Sequence, residues 1–330
     1  MSLTVLKPGL LTTVQDQGRP GWQRHGVVVG GAVDAFAARV ANVVVGNAES
    51  AAVLEMALLG PELRVGQDML VALCGAGFEL MIGGRAAPHD RPVLVAAGET
   101  MAFAPTDRGA RAWLAVAGGI DVPLVLGSRS TYVRGRLGGF EGRPLIAGDK
   151  VSVGPPPEWA KGLAGQMKAR GRTTVPWSVR PETLGRSVGG ATVRAIRGPE
   201  WSLFTELSHR EFFGTDYAVT KDVDRMGMRL EGVPLALREP REEISSAVNV
   251  GVVQVPHSGQ PIVLLVGRQT VGGYPRIAAV ATVDLGKLAQ FKPGDPIRFQ
   301  EITVEQAHEL QLGRERDFAR VISGLSRLVA

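Results

Sequence analysis

The sequence predicts a mainly β protein built as two domains, and three observations carry that expectation. Short runs of Val, Leu, Ile and Ala are bounded roughly every 8 to 12 residues by Gly, Pro or Asp, the pattern of an all-β barrel or sandwich. Glycine makes up 43 of the 330 residues, well above the usual ~7%. It is scattered among Val-rich runs rather than spaced every third residue, so it marks tight turns and excludes a collagen-like repeat. The length suits two domains of roughly 100 to 200 residues, each able to bury its own core.

Strands are expected at Met69–Cys74, Arg91–Ala96, Arg111–Val116, Val193–Ile196, Val250–Val255 and Pro261–Val266. Helices are few and short. Phe36, Val40 and Val44 recur four apart within Asp34–Val45, which marks one amphipathic helix. Thr303-Val304-Glu305-Gln306 reads as a capping box that opens a helix to about Leu312, resuming around Phe318–Ile322. A turn followed by a strand recurs in Ala147–Val153 and Pro293–Phe299, with a looser copy in Ala97–Phe103. There Gly permits a positive φ and the acidic residue bonds the turn backbone. The first two copies would each close one β domain. Pro155-Pro156-Pro157 opens a polar stretch without a sustained period. The expected division is therefore an N-terminal domain over 1–155, a linker over 156–190 and a C-terminal domain over 191–330.

Composition narrows the function. The formal charge is 37 − 32 = +5, but the arginines are dispersed and form no basic and aromatic stripe, which argues against nucleic-acid binding. The single cysteine, Cys74, lies in an apolar run and reads as a buried, inert thiol. Without an intrachain disulfide, a reducing compartment fits. The N-terminus lacks a signal-peptide pattern and no run reaches 18 apolar residues, so a cytoplasmic protein off the membrane is expected. No phosphate-binding loop is present, since Gly286-Lys287 is followed by Leu288. Gly75-Ala76-Gly77 lacks the last glycine of a dinucleotide fingerprint, with Leu80 in its place. His25, His89, His209, His257 and His308 show no metal-ligand spacing, so no metal is expected. Met167-Lys168 is similar to a biotin attachment site, but its neighbours do not fit, so no covalent biotin is expected on this chain.

Three segments combine Gly with polar residues too densely for ordinary core strands: Thr12–Gly21, Asp222–Leu230, and Gln254–Pro261 continuing to Gly267–Pro275. Arg beside a carboxylate can form a forked site for an amide or carboxylate, and Gln offers an amide both a donor and an acceptor. Gly272-Gly273 would let backbone N–H groups approach a ligand. The same residues also suit salt-bridged turns at Asp16/Arg19 and Asp224/Arg225 and a bulge at the glycine pair.

Ordered motifs along nearly the whole chain add a resemblance. They include T-T-V-Q-D-x-G-R-x-G (Thr12–Gly21), G-x-x-D (Gly31–Asp34), A-N-x-x-V-G-N (Ala41–Asn47), A-x-L-E (Ala52–Glu55) and L-A-V-A-G-G-I (Leu114–Ile120). G-S-R-S-T-Y (Gly127–Tyr132) and G-G-x-E-G-R (Gly138–Arg143) follow. The C-terminal half adds D-R-M-G-x-R-L-x-G (Asp224–Gly232), Q-V-P-x-x-G-Q-P-I (Gln254–Ile262) and R-Q-T-x-G-G-Y-P (Arg268–Pro275). On these the chain resembles the biotin-dependent carboxyltransferase family, also called allophanate hydrolase subunit 2, which includes the C-type components of ATP-hydrolysing 5-oxoprolinases.

The resemblance implies two cyclophilin-like β-barrel domains. It also implies a heteromeric complex with a smaller cyclophilin-like partner subunit and a third oxoprolinase subunit, opening 5-oxoproline to glutamate with ATP. The ATP site is left unplaced. Activity is expected only in the complex, on a small amide substrate. Carried onto this sequence, the resemblance points to Asp16, Arg19, Asp224 and Arg225 as catalytic residues. Gln15, Gln254, Gln260, Arg268, Gln269, Thr270 and Tyr274 would bind substrate. Asp16 or Asp224 would transfer a proton, and Arg19, Arg225 or Arg268 would clamp an anion or carbonyl. Two positions depart from the family pattern, Ala247 and Gly267, where acidic residues are common, and these bear on the substrate. The alternatives are a biotin-dependent carboxyltransferase for urea or another small amide, and a non-enzymatic regulator that binds the smaller partner.

Overall fold

The computed structural model describes residues 1–179, 192–241 and 243–328. They fall into two compact units, each discontinuous in sequence: residues 1–19, 30–179 and 317–328, and residues 20–29, 192–241 and 243–316.

The first unit is mainly β. Its strands are β1 (Ser2–Lys7), β2 (Leu11–Gln15), β3 (Val53–Ala57), β4 (Glu62–Val65), β5 (Met69–Gly75), β6 (Phe78–Ile82), β7 (Arg85–Ala87), β8 (Val93–Val95), β9 (Thr100–Pro105), β10 (Arg111–Val116) and β11 (Lys150–Ser152). They pair as two sheets, β11-β1-β4-β9-β6-β7 and β2-β3-β10-β5-β8, rather than as one closed ring. Both contribute to a single core: Leu3, Val5, Leu63 and Phe103 come from one sheet, Leu54, Met56, Leu73 and Leu114 from the other. Every residue of β3 and β10 is buried, and helix α1 (Ala35–Val44) packs on β10 and β5 from the face turned away from that core. The α1 stripe is Ala37, Val40, Ala41 and Val44, all at 0% exposure. Each valine stabilises the unit by roughly 1.5–3 kcal/mol. The helix starts where Asp34 accepts the Ala37 N–H at 2.9 Å.

Within the stretch expected as a linker, Glu158–Ala169 form helix α2, which buries Ala160, Leu163 and Met167. The apolar spacing is helical, but Gly165 and the surrounding charges dilute it in the sequence. Residues 180–190 of that stretch lie outside the described residues. Lys168, beside the buried Met167, pairs with Asp68.

The second unit contains a closed barrel. Strands β12 (Thr192–Arg197), β13 (Asp216–Val223), β14 (Gly227–Glu231), β16 (Val252–Gln254), β17 (Ile262–Leu264), β19 (Arg276–Val280) and β20 (Pro296–Glu301) run in the order β12-β19-β16-β17-β14-β13-β20. The ring closes through a parallel β12/β20 ladder. A separate two-stranded ribbon joins β15 (Ser246–Ala247) to β18 (Val271–Gly272). Helix α3 (Glu206–Gly214), absent from the sequence expectation, is capped by Thr205, which accepts the Ser208 N–H at 3.1 Å. It stacks Phe212 on Phe299 at 4.6 Å between ring centres. After the short α4 (Leu285–Leu288), helix α5 runs uninterrupted over Val304–Arg327. The capping box is complete: Gln306 N donates to Thr303 Oγ1 at 3.2 Å, and Thr303 N to Gln306 Oε1 at 2.9 Å. No proline interrupts residues 313–317, and i,i+4 contacts such as Gln311–Glu315 carry the helix through the expected gap. No helix among the described residues is long and apolar enough to cross a membrane.

The three recurrent turns share one geometry. Asp149 accepts the Ile146 N–H at 2.8 Å, Asp295 the Lys292 N–H at 2.7 Å, and Glu99 the Ala96 N–H at 2.7 Å. Gly148, Gly294 and Gly98 adopt φ of 92°, 92° and 85°. In each case the glycine N–H and the acidic residue's carbonyl bond the same valine of a neighbouring strand: Val5, Val219 and Val65 respectively.

Asp284, at 0% exposure, ties β12 to the segment before α4. It accepts Arg194 N at 2.8 Å, Nε at 2.9 Å and Nη2 at 2.6 Å. Burial works to raise its carboxyl, and the Arg194 hydrogen bonds and nearby Lys287 outweigh that, holding it below the ordinary 3.8. Asp284→Asn should lower barrel stability by about 3–5 kcal/mol at pH 7 in urea unfolding, because a buried charge loses its partner. The folded pKa is depressed, so the contribution is full above about pH 4 and is lost as pH falls through the lower folded value. Wild type and variant should therefore converge in acid; a gap constant from pH 7 to pH 3 would contradict this.

Candidate functional site

In the first unit the end of β2 is pinned to the segment 128–131 by one carboxylate. Asp16 Oδ1 accepts Gly18 N at 2.8 Å, Ser128 Oγ at 2.6 Å and Ser130 Oγ, while Oδ2 accepts the Arg129 N–H at 2.5 Å. Asp16 N donates to Ser130 Oγ at 2.9 Å, and Thr131 N to Val14 O at 2.9 Å. These donors occupy the acceptor sites of a carboxylate, which suits Asp16 to holding the loop.

That zipper positions Gln15 and Arg19. Gln15 is fully buried; its Nε2 donates to Thr13 Oγ1 at 2.9 Å and to Thr131 O at 3.2 Å, while Oε1 has no partner. Arg19 is 1% exposed, its Nη2 donating to Ser130 O and its Nε to Val125 O at 3.4 Å, while Nη1 has no partner. Burial lowers its pKa and the nearby Asp16 charge opposes that. Glycines shape the surroundings: a Cβ on Gly138 would come within 2.7 Å of Nη2, and one on Gly30 within 3.5 Å of Nη1. A buried donor and a buried acceptor are thus held on the adjacent carbonyls of Ser130 and Thr131. This pairing can take the C=O and N–H of an amide.

In the second unit a cavity of about 580 Å³ is walled by Pro234–Leu237, Pro240, Glu243, Pro256, His257 and Tyr274. Tyr274 meets His257 edge-on, with ring centres 6.4 Å apart. Gln254, buried, donates from Nε2 to Tyr274 O at 3.2 Å and lies against Gly272, where a Cβ would approach Nε2 to 2.7 Å. Gln260 spends both amide groups on Gly232, accepting its N–H at 2.9 Å and donating to its carbonyl at 3.1 Å, which fixes the backbone leading to the cavity wall.

The remaining candidates lie off the cavity wall. Asp224 is exposed and accepts Met226 N at 2.6 Å and Gly227 N at 3.1 Å inside the β13–β14 turn. The Arg225 carbonyl receives the Gly267 N–H at 2.7 Å, and a Cβ at 267 would sit 3.0 Å from that carbonyl. Gln269 is exposed, and the Thr270 carbonyl accepts Val248 N at 3.2 Å. Arg268 is 7% exposed, donating from Nε to Val248 O at 3.1 Å, and burial lowers its pKa. Ala247 pairs with Val271 in the ribbon. Sequence reasoning did not single out Ser128, Ser130, Gln17 or His257. The serines are flagged only by their i, i+2 spacing in G-S-R-S-T-Y, and Gln17 Nε2 is a further buried donor without a partner. Among the described residues no group of three or more His, Cys, Asp or Glu is placed to hold a metal ion.

Comparison with known proteins places these features in a family. The carboxyltransferase domain family, subdomain A and B, matches residues 25–301. The chain is 37% identical to the C-type component of 5-oxoprolinase from Escherichia coli (strain K12), covering 97% of each chain. It is 30% identical to urea amidolyase of Saccharomyces cerevisiae, where 94% of this chain matches 17% of that much longer protein. The crystal structure of the K. lactis urea amidolyase superposes with a TM-score of 0.86 at 27% identity, over 98% of this chain and 20% of that one. With its mainly β fold, its Gly-flanked polar loops and these matches along nearly the whole length, the chain belongs to the carboxyltransferase domain family, subdomain A and B.

Proposed function

We propose that the chain is the C-type component of a cytoplasmic 5-oxoprolinase, a hydrolase complex that opens 5-oxoproline to glutamate with ATP and water. The observation that carries this reading is the 37% identity with the C-type 5-oxoprolinase component over 97% of both chains. Activity belongs to the complex, completed by a smaller partner subunit and a third subunit. ATP is a substrate of the complex, and no residue of this chain is assigned to it. The chain carries no covalent biotin.

Opening a lactam ends its amide resonance, so the carbonyl oxygen must be stabilised as charge develops and the nitrogen must be held and protonated. In this reading Arg19 Nη1 donates to the carbonyl oxygen and Gln15 Oε1 accepts the lactam N–H. Asp16 is a positioning residue that acts through both. Burial strengthens each contact, since neither group has water as a competitor.

A second reading, a biotin-dependent carboxyltransferase for urea or another small amide, is favoured by the match to urea amidolyase. Urea offers the same C=O and N–H pair, so the Arg19 and Gln15 arrangement does not separate the two. Avidin does: 5-oxoprolinase activity should be insensitive to it, and a biotin-dependent carboxylation should stop.

Mixed with its two partner subunits, the chain should release glutamate from 5-oxoproline only when ATP is present. A stable, fully assembled complex that turns over no 5-oxoproline would remove the reading. Arg19→Lys, which keeps the cation and loses the planar fork, should lower kcat/KM by about 10²–10³-fold while the complex still elutes at wild-type size. Wild-type turnover in that variant would sink the role given to Arg19.

A further inference from the structure

Among the described residues of the barrel unit, Arg268 is the most buried arginine to which no acidic partner falls. Two other arginines there are less buried and are matched inside the fold. Arg194, with a side chain 25% exposed, is chelated by Asp284, and Arg276, 22% exposed, by Glu200. Both have pKa values raised, first by those side-chain hydrogen bonds. Arg268 is 7% exposed, and its one hydrogen bond from the side chain runs from Nε to the Val248 carbonyl. Burial lowers its pKa. A guanidinium taken this far out of water without a counter-charge is costly.

The surroundings hold that guanidinium still. Leu265 N bonds Met226 O at 2.8 Å, Gly267 N bonds Arg225 O at 2.7 Å, and Arg268 N returns to Leu265 O at 3.1 Å, so the loop is tied to the β13–β14 turn. Val248, whose carbonyl orients Nε, belongs to a small apolar cluster with Val252 and Leu264. With Nε engaged, the Nη1 and Nη2 edge is the part of the fork left for a planar acceptor with two oxygens.

We propose that Arg268 anchors a binding site for a small carboxylate. The fixed guanidinium presents a planar fork that matches the two oxygens and single charge of a carboxylate, whereas one guanidinium neutralises only half of a phosphate dianion. The low-polarity neighbourhood strengthens the resulting ion pair. The site itself does not depend on the 5-oxoprolinase reading. That reading supplies only the choice of 5-oxoproline, which carries both a lactam and a carboxylate, as one of the probes.

The test uses the full chain with arginine labelled with ¹⁵N, following the Arg268 Nε–Hε signal, assigned by its loss in Arg268→Lys. At constant ionic strength, acetate and 5-oxoproline should move that signal saturably, and 2-pyrrolidinone, the same lactam without the carboxylate, should not. Followed by line broadening of the acetate methyl proton signal, which does not require the arginine, Arg268→Gln should bind acetate at least about tenfold more weakly than wild type, as expected when a charge-assisted hydrogen-bond pair is removed. The proposal is overturned if acetate gives no saturable shift, if chloride or phosphate moves the signal as far at equal concentration, or if Arg268→Gln binds acetate like wild type. Should a variant fail to fold, the wild-type titration still decides. Acetate binding without 5-oxoproline binding would leave the carboxylate site standing for another carboxylate, while the 5-oxoprolinase reading, which places the lactam on Arg19 and Gln15, is decided separately by turnover of the assembled complex.

Discussion

The Asp16 carboxylate is the constraint on which the polar loops of the first unit depend. It collects Gly18 N, Ser128 Oγ, Ser130 Oγ and Arg129 N. Hydrogen bonds to a charged group contribute about 1.5–3 kcal/mol each, so the set offsets a large part of the cost of burying one anion. Two segments more than a hundred residues apart are locked in register by it. Gln15 and Arg19 inherit their positions from that lock, because both lean on carbonyls of Ser130 and Thr131. A loop built this way is held stiff by its own hydrogen bonds, which is the condition for polar groups on it to act at full strength.

The second unit reaches rigidity by other means. Its barrel leaves no open edge, since β20 returns parallel to β12, and Asp284 fastens the first strand of the ring to the segment ahead of α4. Gln260 commits both halves of its amide, and Gln254 its Nε2, to backbone near the cavity wall. Both read from sequence as ligand contacts, and their geometry shows how a glutamine can shape a site by bracing the chain around it.

Much of the fold was legible because its signals are local. Met69–Gly75, Arg111–Val116 and Thr192–Arg197 are continuous apolar or alternating runs, and Thr303 with Gln306 announces a helix start within four residues. The helix over Glu158–Ala169 was hidden because its buried face is only Ala160, Leu163 and Met167, too sparse to stand out. Glu206–Gly214 buries only Ser208 and Phe212, so its period is also faint. For the site, residue types were readable and partnerships were not. Nothing near Asp16 in the chain names Ser128, and nothing near Arg268 reveals that its charge goes unmatched. Family resemblance supplied the positions; only three-dimensional neighbours separate a brace from a donor left over.

The three Gly-acid turns carry a consequence for how the chain can change. Each hands its following strand a register by bonding one valine on a neighbouring strand from both sides. Side chains alternate with a period of two along a strand, so one residue added to or removed from such a turn would turn the core-facing set of that strand toward water. Exchange of Asp for Glu is accommodated, as Glu99 shows by making the same contact as Asp149 and Asp295. Insertions and deletions are therefore far less tolerable at these turns than substitutions, although the turns lie in stretches where loops usually absorb length most freely.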